Sequence, residues 1–198
     1  MELRWPSHGL LPYYVAALER GWSPSSSRPD ERRKQIEAIE SDPDGFLAEN
    51  IDLEGTAPPI ELPDGTTVSR IPGYRKWMWD GGFCGGISFR WVADGDESLP
   101  PYVLGHIGYG IVDWKRRRGY ATRALRMLLP DVRARGLDYV ELTANEENIA
   151  SCKVIEAAGG ELHERFTMPD FQGGGPGRRY RIDLTTIDPE PSSPDDAS

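Results

Sequence analysis

Two cysteines are all the thiol this sequence carries, and Cys84 and Cys152 form neither a Cys-x-x-Cys pair nor a metal-ligand spacing. That argues against a disulfide framework and a metal site, and reduced thiols in a cytoplasmic setting are the simpler reading. Long apolar runs are missing too: no window approaches the roughly eighteen residues a membrane-crossing helix needs. The first residues lack a basic start followed by an apolar core, so no secretory signal is expected. Positive charge is in deficit, with 23 Lys and Arg against 32 Asp and Glu and a formal net charge of -9. That balance argues against a nucleic-acid binder and favours the approach of a cationic or amine-bearing partner. Familiar catalytic signatures are absent as well. His163-Glu164 is not followed by the second His of a zinc-protease helix, there is no Walker loop and no Gly-x-Ser-x-Gly, and Gly105 to Gly110 does not spell a dinucleotide fingerprint. No internal repeat is visible.

What remains is the composition of an ordinary globular protein, 38% hydrophobic and 28% charged over 198 residues. One domain over residues 1–185 is expected, followed by an acidic, Pro/Ser-rich tail, 186–198, expected to be disordered. Glu2 to Trp5 reads as a short strand, and Pro6 as a helix start with Leu11, Tyr14, Val15 and Leu18 on one face, ended by Gly21. Ser23 to Ser27 reads as a loop. Asp30 is expected to cap a second helix carrying Ile36 and Ile39, and Asp42-Pro43 to restart helix through Leu47. Glu54 to Gly65 reads as a connection with a Pro63-Asp64-Gly65 turn. Arg70 to Trp79 and Phe83 to Val92 read as strands joined by an Asp80-Gly81-Gly82 hairpin, and Asp94 to Pro101 as a polar turn.

The centre of the sequence is Tyr102 to Asn148. A Gly-punctuated apolar strand, Tyr102 to Val112, runs into the basic turn Asp113-Trp114-Lys115-Arg116-Arg117-Arg118. Gly119-Tyr120-Ala121-Thr122 then opens a helix to Arg135, and a strand over Tyr139 to Ala144 closes the unit. Ala121, Ala124, Leu125, Leu128, Leu129 and Val132 make the apolar stripe. Pro130 is expected to kink or end the helix early, and Gly136 to cap it. Asn148 is expected to cap a further helix with Ala150, Val154, Ala157 and Ala158 buried, stopped by Gly159-Gly160. Glu161 to Met168 and Arg179 to Leu184 read as a last antiparallel pair around the Gly-rich loop Pro169 to Gly177. A helix start with a bare glycine and flanking cations is built for an anion, because its first N–H groups are unpaired and carry partial positive charge.

Arg116-Arg117-Arg118-Gly119-Tyr120-Ala121 fits [Arg/Gln]-x-x-Gly-x-[Gly/Ala], and in its strand–helix–strand setting it resembles the pyrophosphate loop of the GCN5-related N-acetyltransferases (GNAT). The resemblance covers about Tyr74 to Leu184 and extends to a bacterial branch carrying Gly-His-Ile-Gly-Tyr, here Gly105 to Tyr109, and Asn-Ile-Ala-Ser, here Asn148 to Ser151. It implies an α/β (α+β) GNAT fold: one mixed, mostly antiparallel sheet of six or seven strands, only the central pair parallel, with helices on both faces. It implies acetyl-CoA as acyl donor and a primary amine of a small molecule or peptide as acceptor, attacked directly, and it allows a homodimer. By resemblance the backbone of Ile111, Val112 and Asp113 bonds the pantetheine arm. Arg116, Arg117, Arg118, Gly119, Tyr120, Ala121 and Thr122 hold the pyrophosphate, Asn148 and Ser151 lie near the pantetheine, and Lys153 lies near the phosphates.

Plainer readings stand beside these. The basic run also serves as a solvated helix start, Ile111 and Val112 as core strand, and Asn148 with Ser151 as a simple cap. Many relatives place a tyrosine acid seven residues after the capping Asn; here that position is Ile155. His106 is the first candidate base, since a neutral imidazole suits the task near pH 7; a histidine bonded within the sheet fits equally well. Glu141 is the second, and Ser151 is a candidate proton donor. Trp77, Trp79, Tyr13, Tyr14 and Phe171 line an acceptor groove or simply pack the core. The alternative function is an acyl-CoA-binding module without catalysis.

Overall fold

The computed structural model describes the chain apart from residues 26, 27, 29, 63, 64, 93–97, 171–173 and 195–198. In chain order it runs β1 (Glu2–Arg4), α1 (Leu11–Glu19), α2 (Glu31–Ser41), α3 (Pro43–Glu49), β2 (Ile51–Asp52), β3 (Ile60–Glu61), β4 (Thr67–Val68), β5 (Gly73–Trp79), β6 (Phe83–Arg90), β7 (Ile107–Ile111), α4 (Tyr120–Arg133), β8 (Tyr139–Asn145), α5 (Ile149–Ala157), β9 (Glu161–Thr167) and β10 (Pro176–Asp183).

The β5–β6 hairpin sets the frame. Gly81 and Gly82 take positive φ, and the Asp80 N–H bonds Gly82 O, so the turn reads as the sequence implies. A register shift follows at Met78/Trp79, opposite Gly85. Gly85 has φ +146°, and a Cβ there would stand 2.1 Å from Gly110 O, so only glycine fits. The bulge turns Phe83 to the face opposite Ile87 and Phe89. Phe83 joins Trp77, Tyr14, Trp22 and Val112 under α1, whereas Ile87 and Phe89 join Met78, Leu125 and Leu128 under α4. Helices thus cover both faces of the larger sheet.

The expected single mixed sheet is instead two antiparallel sheets, β1-β5-β6-β7 with β2 also on β5, and β8-β10-β9, beside a β3–β4 hairpin in the connection that precedes β5. The expected parallel pair, β7 and β8, forms no ladder. The two backbones are joined where the His106 N–H donates to Glu141 O at 2.7 Å, and no backbone bond links them beyond it.

Several boundaries differ from expectation for local reasons. β7 begins at Ile107 rather than Tyr102; just before it, His106 is shared between sheets, its N–H donating to Glu141 O and its carbonyl accepting from the Arg90 N–H. α1 begins at Leu11, with Pro12 rather than Pro6 in its first turn. Asp30 occupies the N-cap of α2 without a side-chain cap bond, whereas Asp42 accepts from the Gly45 N–H at 2.9 Å as a cap should. α4 continues through Pro130 to Arg133, because Leu128, Leu129 and Val132 are buried on either side of the proline and packing outweighs one lost bond. Tyr120 replaces Ala121 at the head of the buried stripe. α5 buries Cys152 and Ile155 and leaves Ala150 and Ala157 exposed, since the larger side chains gain more from burial.

The segment beyond β10 returns to the core over its described residues. Glu190 N–H donates to Pro130 O, and Ser192 N–H to Asp131 Oδ1 at 2.9 Å. Asp131 is itself buried against Tyr74 and 3.3 Å from Lys76 Nζ.

Candidate active site

The loop between β7 and α4 has the geometry of an anion cradle. A single 3-10 turn, Asp113–Lys115, leads into it, and Arg116 is tied back to Asp113 at 2.6 Å. Arg117 (φ 61°) and Gly119 (φ 72°) both adopt the left-handed conformation, which turns successive N–H groups to one side of the chain. For Arg117 this is a strained choice that a functional loop tolerates. The first backbone bond of α4 runs from the Arg123 N–H to Gly119 O at 3.1 Å. Among the described residues, the N–H groups from Arg117 to Thr122 donate to no other group. Arg116, Arg117, Arg118 and Gly119 are exposed, and nothing lies within 4 Å of a Cβ built on Gly119. Tyr120 is buried and donates to Asp80 Oδ2 at 2.6 Å, pinning the helix start to the β5–β6 hairpin. Lys115 turns away from the cradle, its Nζ reaching Asp80 O at 3.2 Å and Cys84 Sγ at 3.3 Å.

Beside the cradle, β7 and β8 part. Gly105 makes their single close approach feasible, since a Cβ there would meet Glu141 O at 3.0 Å and Leu142 Cα at 3.3 Å. His106 completes the joint. It is fully buried, and its Nδ1 accepts from the Glu141 N–H at 2.9 Å. That bond places the ring proton on Nε2, which has no partner among the described residues. Desolvation pushes the imidazole down to about 4, against the opposing pull of Glu141. The one acceptor nitrogen of the neutral ring is thus taken by the Glu141 N–H, and His106 joins the two sheets as a clasp. Glu141 is likewise committed, to Arg179 at 2.5 Å and Arg181 at 3.0 Å on β10. Burial alone would raise its carboxyl, but the two arginines outweigh it and hold it below its ordinary value.

Beyond His106 the β7 edge toward β8 makes no backbone bond to β8, and Ile111 and Val112 lie along that edge; the Val112 N–H faces the other way, to Cys84 O. Asp113 stands exposed at its end. Across the opening, Asn148 Oδ1 accepts from the Ser151 N–H at 3.1 Å, so the capping role is met, and Lys153 is exposed one turn on. Ile155 is buried in the core, so the common acid position carries no acid and faces no opening.

A tyrosine missed by the sequence reading stands nearby. Tyr109 on β7 reaches α5, its hydroxyl donating to Ser151 O at 3.2 Å. Ser151 and Ile155 are four residues apart on one helix face, so this hydroxyl ends one turn from the position left without an acid. Burial pushes Tyr109 up to about 12, keeping it protonated. The signal was present in Gly-His-Ile-Gly-Tyr, where period-two spacing sets Tyr109 on the face opposite Gly108 and Gly110.

Of the aromatic residues offered for an acceptor groove, Trp77 and Tyr14 are fully buried and stacked on each other at 4.7 Å, which makes them core. Tyr13 is exposed and edge-on to Trp79 at 4.9 Å. Phe171 lies outside the described residues. Trp22, not singled out in the sequence, overhangs β7, 3.8 Å from a Cβ built on Gly110.

Residues 60–161 match the family model described as the acetyltransferase (GNAT) domain. Among solved structures, the ribosomal L7/L12 alpha-N-protein acetyltransferase RimL in complex with coenzyme A superposes with a TM-score of 0.62 at 15% identity, covering 91% of this chain and 92% of that one. The microcin C7 self-immunity acetyltransferase MccE, in complex with acetyl-CoA and AMP, gives 0.59 at 13% identity and 91% of each chain. A spermidine N-acetyltransferase SpeG variant from Vibrio cholerae gives 0.55 at 12% identity, covering 93% of this chain and 96% of that one. Among curated proteins, no sequence matches.

Proposed function

Because the chain belongs to the acetyltransferase (GNAT) domain family, we propose that it moves an acetyl group from acetyl-CoA to a primary amine of a small molecule or peptide. It is an acyl-CoA-dependent N-acyltransferase. The observation that carries the proposal is the run of unpartnered N–H groups from Arg117 to Thr122, shaped by left-handed Arg117 and Gly119 and flanked by exposed arginines. Such a cradle fits a pyrophosphate, with Arg116, Arg118 and Lys153 at hand for further phosphate charge. The free β7 edge at Ile111, Val112 and Asp113 suits an extended arm laid along it as an added strand.

Acetyl-CoA supplies the activated thioester. The chain's own part is to hold it, to admit a neutral amine over β7, and to manage two protons. The amine loses one, and His106 and Glu141 are both committed elsewhere, so water at the open cleft takes that role. The leaving sulfur needs one back, and Tyr109 is placed to provide it from β7 where Ile155 does not from α5. Ser151 contributes its carbonyl to Tyr109 and its N–H to the cap.

A cytoplasmic location belongs to this proposal, and among the described residues no helix is long and apolar enough to cross a membrane. The second reading, an acyl-CoA-binding module without catalysis, is favoured by the loss of the acid at Ile155. Titration calorimetry of acetyl-CoA against the native chain and Gly119→Trp decides the first step. A micromolar Kd that the tryptophan abolishes supports the cradle, since its side chain would project into the space left open there. Heat-silent titration of the native chain would sink the acyl-CoA reading. Release of coenzyme A thiol in the presence of amines then separates enzyme from binding module.

A further inference from the structure

One face of the larger sheet carries more positive charge than its surroundings balance. Across β5, β6 and β7 the register aligns Arg75 with Ser88 and Ser88 with Gly108, and it aligns Gly73 with Arg90 and Gly86 with Gly110. This is the Trp77 face, covered by α1. Gly108 and Gly110 are only half-buried, so a strip of bare backbone on β7 stays reachable. A Cβ on Gly108 would meet just Ser88 Oγ at 3.4 Å and Arg90 Nη2 at 3.5 Å, and one on Gly110 just Trp22 at 3.8 Å. The strip ends at Ile111, where the free strand edge and the anion cradle begin.

Arg90 hydrogen-bonds Ser88 Oγ at 3.4 Å, and Arg75 lies beside the Tyr14 hydroxyl. Among the described residues neither arginine has a carboxylate within ion-pair distance. The acid at this end of the groove, Glu31, is already engaged with Arg28 at 3.5 Å and Gln35 at 2.8 Å. Burial, and then the charges of Arg75 and Arg28, push the Arg90 guanidinium down to about 10. In a chain with 32 acidic residues, an uncompensated pair of arginines beside an open strip of backbone is a cost that a bound anion offsets.

We propose that Arg75 and Arg90 form an anion subsite in the acceptor groove, so that the acceptor is a small amine that also bears a carboxylate or phosphate group. The inference rests on the acyl-transfer reading and names its substrate class. Planar guanidinium groups bind such oxyanions through paired N–H bonds, and a subsite on the β6–β7 floor holds the amine end over β7. Polyamines and aminoglycosides lack that anion and would meet like charge.

The test measures thiol release from acetyl-CoA with matched acceptors: phenylalanine against phenylalaninamide, phosphoethanolamine against ethanolamine, and spermidine as polycation. At least one acid is expected to exceed its partner lacking the acid group in kcat/KM by about 10-fold or more, and which pair responds tells carboxylate from phosphate. Arg90→Gln or Arg75→Gln brings the ratio close to one, Arg90→Lys keeps part of it, and the Kd for acetyl-CoA is unchanged in all three. A native preference for the amines without an acid group or for spermidine, or a ratio that survives both glutamine variants, overturns the subsite. If acetyl-CoA binds but no amine releases thiol, the transfer reading fails for this panel and melting temperature judges the subsite separately. Stabilisation of the coenzyme A complex by phenylalanine or phosphoethanolamine, absent with the partner lacking the acid group and lost in Arg90→Gln, upholds it; no difference overturns it.

Discussion

Gly105-His106-Ile107-Gly108-Tyr109 shows how neighbouring residues of one strand divide the work. His106 is held at Nδ1 by a backbone N–H and buried completely, so its proton affinity is a property of folding. The unfolded imidazole titrates near 6.5, whereas the folded one refuses the proton until about 4. Stability is therefore full above pH 6.5 and declines as pH falls from 6.5 toward 4, by on the order of 3 kcal/mol at most. His106→Asn keeps an acceptor for the Glu141 N–H and removes the titration. Urea unfolding at pH 7, 5.5 and 4.5 is expected to show a shallower decline for the variant; parallel curves would refute the clasp. Tyr109 points the other way, to α5, and its role is read in rate. Tyr109→Phe is expected to lower kcat by about 10²-fold or more while the Kd for acetyl-CoA stays within about twofold. Equal kcat would return the leaving-group proton to solvent.

At the scale of elements, the joint between β7 and β8 decides what the cleft can hold. A parallel ladder continued past His106 would occupy the β7 edge with β8. One backbone bond joins them, from the His106 N–H to Glu141 O, and with no ladder beyond it Ile111 to Asp113 are left to meet something else. Gly105→Ala sets a methyl 3.0 Å from Glu141 O and 3.3 Å from Leu142 Cα, both backbone atoms with little room to yield. We expect a loss of about 1–3 kcal/mol in stability and a several-fold weaker Kd for acetyl-CoA, because the whole edge shifts. A native denaturation midpoint with native affinity would show that the joint does not set the cleft. The cradle at α4 is the opposite kind of element. It depends on two left-handed residues and a helix start within seven positions, and this is why its spacing can be recognised in the sequence.

Over the whole molecule, the segment after β10 closes a polar cluster far from the cleft. Asp131, buried in α4, meets Tyr74, Lys76 and the Ser192 N–H, and Pro130 O takes the Glu190 N–H. Deleting residues 188–198 leaves the Asp131 carboxylate short of a donor and is expected to cost about 2 kcal/mol. That corresponds to roughly 4–8 °C in melting temperature for a chain of this size. Binding of acetyl-CoA is expected to persist, since no contact of the segment's described residues reaches the cradle. An unchanged melting temperature would mean that water replaces the segment without loss.

Local features were legible in the sequence. The Asp80-Gly81-Gly82 turn, the Asp42 and Asn148 caps, the Gly119 helix start and the α4 stripe each depend on residues within one or two turns of one another, where φ preference, cap chemistry and period decide the outcome. Fold class followed from the resemblance that the Arg116–Ala121 motif carries in its strand–helix–strand setting. Features that depend on distant partners were not legible. Pro130 looked like a helix breaker because the packing that overrides it lies elsewhere in the chain, and the small alanines of α5 gave way to Cys152 and Ile155 once a core existed to receive them. His106 reads as a base until Glu141, 35 positions away, supplies the N–H that uses its acceptor nitrogen. Asp131 finds its donor 61 positions on, in a tail that composition alone leaves free. Arg75 and Arg90 are unremarkable in sequence, and only the register of β5, β6 and β7 sets them on one face beside bare glycine backbone. Sequence determined the local conformations through short-range sterics and hydrogen bonding. Tertiary structure decided which polar atoms are satisfied and which stay open for a ligand, because burial and long-range pairing exist only once the chain has closed on itself.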